Sequence, residues 1–132
     1  SKRMSHIAKI QIQVKDLEAL AAAATALGCE LVTGQKTHRY YANAQGKCEH
    51  AIRVTGSKDA YEIGVVRGAD GNWELQADFW QGGRGLAEKV GTDAVKLRQE
   101  YAAQVAEKQA RRMGKRVQRS LREDGAIVLR AY

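Results

Sequence analysis

Hydrophobic and polar residues alternate along two neighbouring stretches in the middle of the chain, at residues 61–66 and 73–80. Tyr61, Ile63 and Val65 share one face of the first stretch. One face of the second stretch is apolar and is formed by Trp73, Leu75, Ala77 and Phe79. A two-residue period is typical of β-strands, and the Gly- and Asn-containing segment between them favours a turn. We predict a hairpin over residues 61–80 with one buried face, which helices cover.

Shorter alternating or apolar stretches predict further strands. Ala8, Ile10, Ile12 and Val14 fall on one face of a strand at residues 5–14, with polar residues opposite them. Other strands are expected at residues 29–32, 36–41 and 49–54, and residues 43–47 are predicted to form a turn. The last part of the chain predicts a second hairpin, with strands at 116–121 and 126–132 around a turn at 123–125.

Apolar residues at three- to four-residue spacing predict two main helices. The first covers residues 17–27, with Asp16 as its N-cap and Gly28 as its left-handed C-terminal residue. Residues 86–90 predict one helical turn. A long helix then begins with Thr92 or Asp93 as its N-cap and runs to about residue 113, before Gly114.

These elements indicate an α+β fold: one domain over residues 1–132, with an antiparallel-rich sheet, two main helices packed on one face and a C-terminal hairpin. Residues 1–3 are expected to be a short disordered extension. A chain of 132 residues is long enough to bury a core without disulfides or metal. Cys29 and Cys48 are therefore expected to be free thiols. With no apolar run long enough to cross a membrane, we expect the cytoplasm or a similar reducing compartment such as a plastid stroma.

Several short motifs resemble, in their order and spacing, the Ycf-thirty-five-like family of plastid, cyanobacterial, other bacterial and phage proteins. They are MSH at 4–6, DLEAL at 16–20, LG at 27–28, YEIG at 61–64, WELQADFW at 73–80 and DGAIVL at 124–129. The resemblance implies no reaction, cofactor or catalytic residue. Because family members are often encoded near an ATPase of the AAA class, it implies an accessory role. The Ala-rich first helix and the arginine-dense segment 111–122 depart from the family pattern.

The net charge of +7 is concentrated near the end of the chain. Residues 1–91 carry 12 basic and 10 acidic side chains, whereas residues 92–132 carry 10 and 5. Seven cations lie close together in the sequence: Lys108, Arg111, Arg112, Lys115, Arg116, Arg119 and Arg122. The first four have helical spacing, and Arg116 and Arg122 fall on the strand face opposite to Arg119. We predict a basic patch that contacts an anionic partner, nucleic acid first. A solvated charged surface is the alternative interpretation.

Exposed aromatic residues, such as Tyr40, Tyr41 or Trp80, would favour single-stranded nucleic acid. A different class of function is a protein-interaction adaptor that works with an AAA-type ATPase or another assembly. Such an adaptor would use the apolar and glycine-rich segment 80–84. The number of copies in an assembly is left open.

Metal binding and catalysis have weaker sequence signals. Cys29, His38, Cys48 and His50 are the right residue types for zinc, but they lack the spacing of a zinc site, so we expect no metal or other cofactor. The cysteines are expected to be small buried side chains and the histidines surface or rim residues. Candidate acid and base groups are His6, Asp16, Glu62 and Asp78. Since no nucleophile has a partner at a recognisable spacing, we expect a binding protein and not an enzyme.

Overall fold

The computed structural model describes residues 7–132, except the side chain of Gln11. An antiparallel sheet of five strands lies at its centre. Its strands, in sequence order, are β1 (Ile7–Val14), β2 (Cys29–Thr33), β5 (His50–Val54), β6 (Ile63–Arg67) and β7 (Trp73–Asp78). They lie side by side in the order β1-β7-β6-β5-β2. The hairpin predicted at residues 61–80 is confirmed as β6 and β7, at the middle of the sheet.

Within residues 7–132, three α-helices accompany the sheet, and the two longer ones pack on the face that carries the core. They are α1 (Leu17–Ala26), α2 (Leu86–Val90) and α3 (Val95–Arg112). Leu20 of α1 and Leu97 of α3 are fully buried against Ile63, Val65 and Leu75 of the sheet. The predicted α+β fold, with two main helices on one face of an antiparallel sheet, is confirmed.

The predicted helix ends are correct at three of four positions. Asp16 caps α1, because its Oδ1 accepts a hydrogen bond of 3.0 Å from the N–H of Ala19. Gly28 and Gly114 both have the left-handed conformation expected after a helix, with φ of 79° and 77°. The prediction of Thr92 or Asp93 as the N-cap of α3 is wrong: the cap position is Ala94, at φ 58°, without a side-chain hydrogen bond.

A small hairpin covers part of the opposite face of the sheet. Its strands are β3 (Thr37–Tyr40) and β4 (Ala44–Lys47), so the predicted turn at 43–47 is wrong. The chain reverses earlier, in a single turn at Tyr41–Asn43. Because this hairpin lies over β6, residues on both faces of β6 are buried, including Gly64 between Ile63 and Val65. The prediction of one buried face for the central hairpin is therefore also wrong.

His38 of β3 holds the small hairpin against the sheet. Its side chain is fully buried, and its Nδ1 lies 3.3 Å from the carbonyl oxygen of Glu62. The imidazole fills a slot between Gly46 and Gly64, where a Cβ on either glycine would clash with the ring. Gly46 is therefore needed for close packing and not for a turn. The prediction of His38 as a surface or rim residue is wrong because the small hairpin covers it.

The carboxylate of Glu62 strengthens the same contact. It is buried and accepts hydrogen bonds from the N–H of Arg39 at 2.8 Å and from Nε2 of Gln35 at 3.1 Å. The guanidinium of Arg39 lies 4.0 Å from the other carboxylate oxygen. A buried carboxylate with several donors is stable, so these contacts join β3 and the segment before it to the start of β6.

The predicted C-terminal hairpin is confirmed as β8 (Val117–Leu121) and β9 (Ile127–Ala131), which form a separate two-stranded sheet. It follows α3 through a tight turn, in which the N–H of Lys115 donates to the carbonyl of Ala110 at 3.0 Å. At its far end, Nε2 of Gln99 donates to the carbonyl of Gly125 at 3.0 Å. The hairpin therefore runs back along α3.

The strand predicted at residues 5–14 is described from Ile7 onward. Its pairing with β7 is irregular between Ile10 and Val14, and Ala8 is exposed, so the predicted alternation is only partly observed. His6, the MSH motif and the predicted extension at residues 1–3 lie outside the described residues. No helix within residues 7–132 is long and apolar enough to cross a membrane.

The slot around His38 gives the first testable prediction. Gly64→Ala should lower the free energy of unfolding by about 2 kcal/mol, because the added methyl group overpacks a rigid buried contact. Gly68→Ala is the matched control, since its Cβ would meet only the side chain of Glu74, which is partly exposed. Urea unfolding of both variants measures the difference. Equal stability of the two would show that His38 does not fill this slot.

Candidate nucleic-acid interface

Arg119 of β8 faces α3 and forms the best-buried ion pairs of the basic segment. Its Nη1 lies 2.8 Å from Oε2 of Glu100, and its Nε donates to Oε2 of Glu107 at 2.9 Å. Both glutamates are buried, with 6% and 8% of their surface exposed. Burial lowers the pKa of Arg119, but the hydrogen bonds to Glu107 and Glu100 outweigh this and leave the pKa above its ordinary value. Arg119 is thus a structural residue that joins the hairpin to the helix.

Lys108 is also occupied by carboxylates, on the side of α3 that faces α1. Its Nζ lies 2.7 Å from Asp16 and 2.8 Å from Glu18. The hydrogen bond from Lys108 lowers the pKa of Asp16, and the same bond raises the pKa of Lys108. This contact links the start of α1 to α3, so Lys108 is turned away from the hairpin.

The other five cations of the predicted patch are exposed. Arg111 pairs with Glu107 at 3.2 Å and Arg122 with Asp124 at 3.4 Å, and each arginine side chain is 64% exposed. Ion pairs at this exposure contribute about 0–1 kcal/mol, so another anion can displace them. Arg112, Lys115 and Arg116 have no carboxylate within ion-pair distance among the residues that the structure describes. Lys115 lies beyond the end of α3, so its predicted helical spacing with Lys108 is wrong.

Alternation along the hairpin determines which side chains point away from α3. Since Arg119 faces the helix, its neighbours Gln118 and Ser120 face outward, as do the residues paired with them, Arg130 and Val128. Arg116 and Tyr132 extend the same face, because their backbones exchange hydrogen bonds of 2.8 and 3.0 Å. We call this surface the outer face. It consists of Arg116, Gln118, Ser120, Arg122, Val128, Arg130 and Tyr132.

The seven predicted cations therefore divide into three groups. Arg116 and Arg122 lie on the outer face, whereas Arg111, Arg112 and Lys115 are exposed at the end of α3 and in the turn after it. Lys108 and Arg119 belong to the packing of the fold. Arg130 and Tyr132 are not among the predicted site residues, although the predicted hairpin turn sets the register that places them beside Arg116.

The aromatic residues considered for base stacking lie elsewhere. Tyr40 and Tyr41 are half-buried, and the ring of Tyr41 meets Trp80 edge-on at 6.2 Å between centroids. Trp80 is 43% exposed, in the turn after β7, whereas Tyr132 is 64% exposed on the outer face. Tyr132 is thus the aromatic side chain best placed beside the exposed cations.

The residues considered as metal ligands are not grouped into a site. Across the described residues, no three His, Cys, Asp or Glu side chains lie close enough to hold a metal ion. Cys29 and Cys48 are buried free cysteines, and burial raises the pKa of Cys29 to about 11. His50 is half-buried, and its Nδ1 accepts a hydrogen bond of 3.0 Å from the N–H of Gly34.

The carboxylates considered for acid and base chemistry have structural roles. Asp16 caps α1 and binds Lys108, and Glu62 holds the β3–β4 hairpin. Asp78 is fully buried and accepts hydrogen bonds from the N–H groups of Trp80 at 2.8 Å and Tyr41 at 3.2 Å. Each is used to fix the backbone of a neighbouring segment.

A cavity of about 530 Å³ lies between β1 and α3, on the side of α3 that the hairpin does not cover. Its wall is mainly apolar and includes Ile12, Tyr101, Ala102 and Val105. The phenol oxygen of Tyr101 accepts hydrogen bonds from the N–H groups of Lys15 and Asp16, at 3.0 and 3.2 Å. The polar groups of this cavity therefore stabilise the junction between β1 and α1.

The fold and the outer face define a small α+β protein with an exposed basic hairpin. No protein-family model matches the chain, and neither a curated protein nor a solved structure matches it. The resemblance to the Ycf-thirty-five-like family consequently stays a prediction from the sequence motifs.

The buried imidazole of His38 predicts a dependence of stability on pH. Burial lowers the pKa of His38 from its ordinary value of 6.5, although the carbonyl and the charge of Glu62 act in the opposite direction. A histidine with a lowered folded-state pKa stabilises the fold fully above pH 6.5, and this contribution is lost as the pH falls towards the folded-state pKa.

Below pH 6.5, the wild type should therefore lose stability relative to His38→Gln by up to about 1.4 kcal/mol per pH unit. Urea unfolding of both proteins at pH 7.5, 6.5 and 5.5 gives the difference, in which the effects of the shared carboxylates cancel. Parallel pH profiles would contradict a buried neutral imidazole.

Proposed function

We propose that this chain is a non-catalytic nucleic-acid-binding protein that uses the outer face of its C-terminal hairpin and the basic turn before it. The interface consists of the exposed members of the predicted patch together with Arg130. They are Arg111, Arg112, Lys115, Arg116, Arg122 and Arg130.

One observation carries the proposal: the cations of this surface outnumber the carboxylates that neutralise them. Arg112, Lys115, Arg116 and Arg130 have no ion-pair partner among residues 7–132. Between residues 108 and 132 the exposed acidic side chains are Glu123 and Asp124, both at the tip of the hairpin. A surface with this excess attracts a polyanion, and phosphate contacts supply most of the affinity of sequence-independent binding.

The ion pairs of Lys108 and Arg119 remove these two cations from the proposed interface. The ion pairs of Arg119 also hold the hairpin that carries the interface in place. These two cations cannot bind phosphate without leaving carboxylates unpaired, which is unfavourable where the carboxylates are buried. The ion pairs of Arg119 fix the hairpin on α3, so the outward cations lie on a preformed surface. A preformed surface loses less conformational entropy on binding than a flexible basic tail.

The test measures binding to fluorescently labelled DNA and RNA by anisotropy over a range of salt concentrations. The variant combines Lys115→Glu, Arg116→Glu and Arg130→Glu. Each lost phosphate contact should reduce the slope of log K against log salt by about 0.7 on single strands and 0.9 on duplex DNA. A charge-matched control combines Lys47→Glu, Lys58→Glu and Lys96→Glu, which are exposed lysines without an ion-pair partner among the described residues.

The proposal predicts that the hairpin variant loses affinity and salt dependence while the control keeps most of both. Equal losses in the two variants would indicate attraction by net charge alone. If the wild-type protein binds neither DNA nor RNA at low salt, the proposed function is wrong.

The second candidate is a protein-interaction adaptor that uses residues 80–84. Its specific support is a turn in which two non-glycine residues, Gln81 and Arg84, have positive φ, 48° and 53°. Strained backbone of this kind persists where surrounding contacts hold it, and it is concentrated at functional sites. Here the carbonyl of Gly83 accepts a hydrogen bond of 2.9 Å from the N–H of Tyr61.

Capture of a purified AAA-type ATPase distinguishes the adaptor function from nucleic-acid binding. This ATPase is the partner class that the family resemblance implies. The adaptor interpretation predicts that Trp80→Ala abolishes capture and that the hairpin charge reversals leave it unchanged. Capture that depends on the hairpin charges, or no capture by the wild type, would contradict it.

A further inference from the structure

Tyr132 lies on the outer face next to two arginines, Arg116 and Arg130. It is directly opposite Arg116. The N–H of Tyr132 donates a hydrogen bond to the carbonyl of Arg116, and the carbonyl of Tyr132 accepts one from the N–H of Arg116. Residues paired in this way have Cα atoms about 5.5 Å apart. Arg130 precedes Tyr132 by two residues on the same strand and therefore shares its face. An exposed aromatic ring thus has one cation across the ladder and one along the strand.

The ring of Tyr132 is mostly exposed. It is 64% exposed, and no aromatic ring or hydrogen-bond partner within the described part of the chain engages its side chain. Its backbone is nevertheless held in the ladder with Arg116, so the Cα–Cβ bond of Tyr132 has a fixed direction on the outer face. An aromatic side chain that is fixed at its base and open to solvent can stack with a planar ligand.

We propose that the outer face binds single-stranded nucleic acid, with a base stacked on Tyr132 and the neighbouring phosphates on Arg116 and Arg130. This inference rests on the proposed function and names the form of nucleic acid that the same surface selects. Unpaired bases expose their flat faces to an aromatic ring, whereas the bases of a duplex are stacked on one another. Phosphate contacts alone would not distinguish the two forms.

The rest of the outer face is consistent with an unpaired strand. Between the arginines lie the uncharged, exposed side chains of Gln118, Ser120 and Val128. The short side chains of Ser120 and Val128 leave room for a second base to lie on the sheet, while amide and hydroxyl groups donate and accept hydrogen bonds without selecting one base. We therefore expect little sequence preference.

The experiment compares one labelled 12-nucleotide oligo(dT) strand with its oligo(dT)·oligo(dA) duplex, by anisotropy at two salt concentrations. The wild type should bind the single strand more tightly. Tyr132→Leu, which keeps an apolar side chain but removes the ring, should weaken single-strand binding by roughly 10-fold. Tyr132→Phe keeps the stacking face and should stay within about 2-fold of the wild type. Duplex affinity should be the same in all three proteins.

The outcomes separate this inference from the proposed function. If the duplex binds as tightly as the single strand and Tyr132→Leu binds both normally, base stacking is wrong but nucleic-acid binding stands. If Tyr132→Leu and Tyr132→Phe are equally weak, the hydroxyl and not the ring makes the contact, and the inference is wrong. No binding of either oligonucleotide overturns both. Leu121→Ala, at an exposed apolar residue of the same hairpin that is not part of the outer face, is the control and should bind as the wild type does.

Discussion

The ion pairs of Arg119 with Glu100 and Glu107 determine how the C-terminal hairpin lies on α3. The two glutamates occupy a covered face of the helix, where an unpaired carboxylate would be strongly unfavourable. Arg119 supplies the counter-charge from β8, so the face of the strand that carries Arg119 must meet the helix. Because side chains alternate along a strand, the neighbouring cations are directed to solvent. One partly buried interaction therefore orients the whole basic surface.

The opposite side of the sheet depends on a different constraint, which is the close packing of His38. Two glycines leave room for the imidazole, and the carboxylate of Glu62 ties the adjoining backbone to β6. These groups would have been the natural candidates for catalysis or metal binding. In the folded chain they hold a small hairpin in place, which leaves the charged surface around β8 and β9 as the principal chemical feature.

Elements with a sustained hydrophobic period were predictable from the sequence. The strands β6 and β7 and the helices α1 and α3 belong to this group. In contrast, β4 has the sequence AQGK, which has no apolar period, and its extended conformation comes from pairing with β3. The burial of His38 was not predictable either, because it requires Gly46 and Gly64 to meet the ring from two different strands.

The candidate site was partly predictable in the same way. The two-residue period of a strand is enough to predict that Arg116 and Arg119 lie on opposite faces. Which of them points inward depends on Glu100 and Glu107, which lie 19 and 12 residues before Arg119 on another element, so it required the tertiary structure. The central claim is that Arg116, just before β8, and Arg119, within β8, have different roles, and urea unfolding of two alanine variants tests it. Arg119→Ala should lower the free energy of unfolding by about 2 kcal/mol, less than for a fully buried ion pair, because the Arg119 side chain is 33% exposed whereas both glutamates are buried. Arg116→Ala should change it by less than about 0.5 kcal/mol, as at an ordinary surface position. Equal effects of the two substitutions would contradict the orientation of the hairpin and, with it, the assignment of the basic surface.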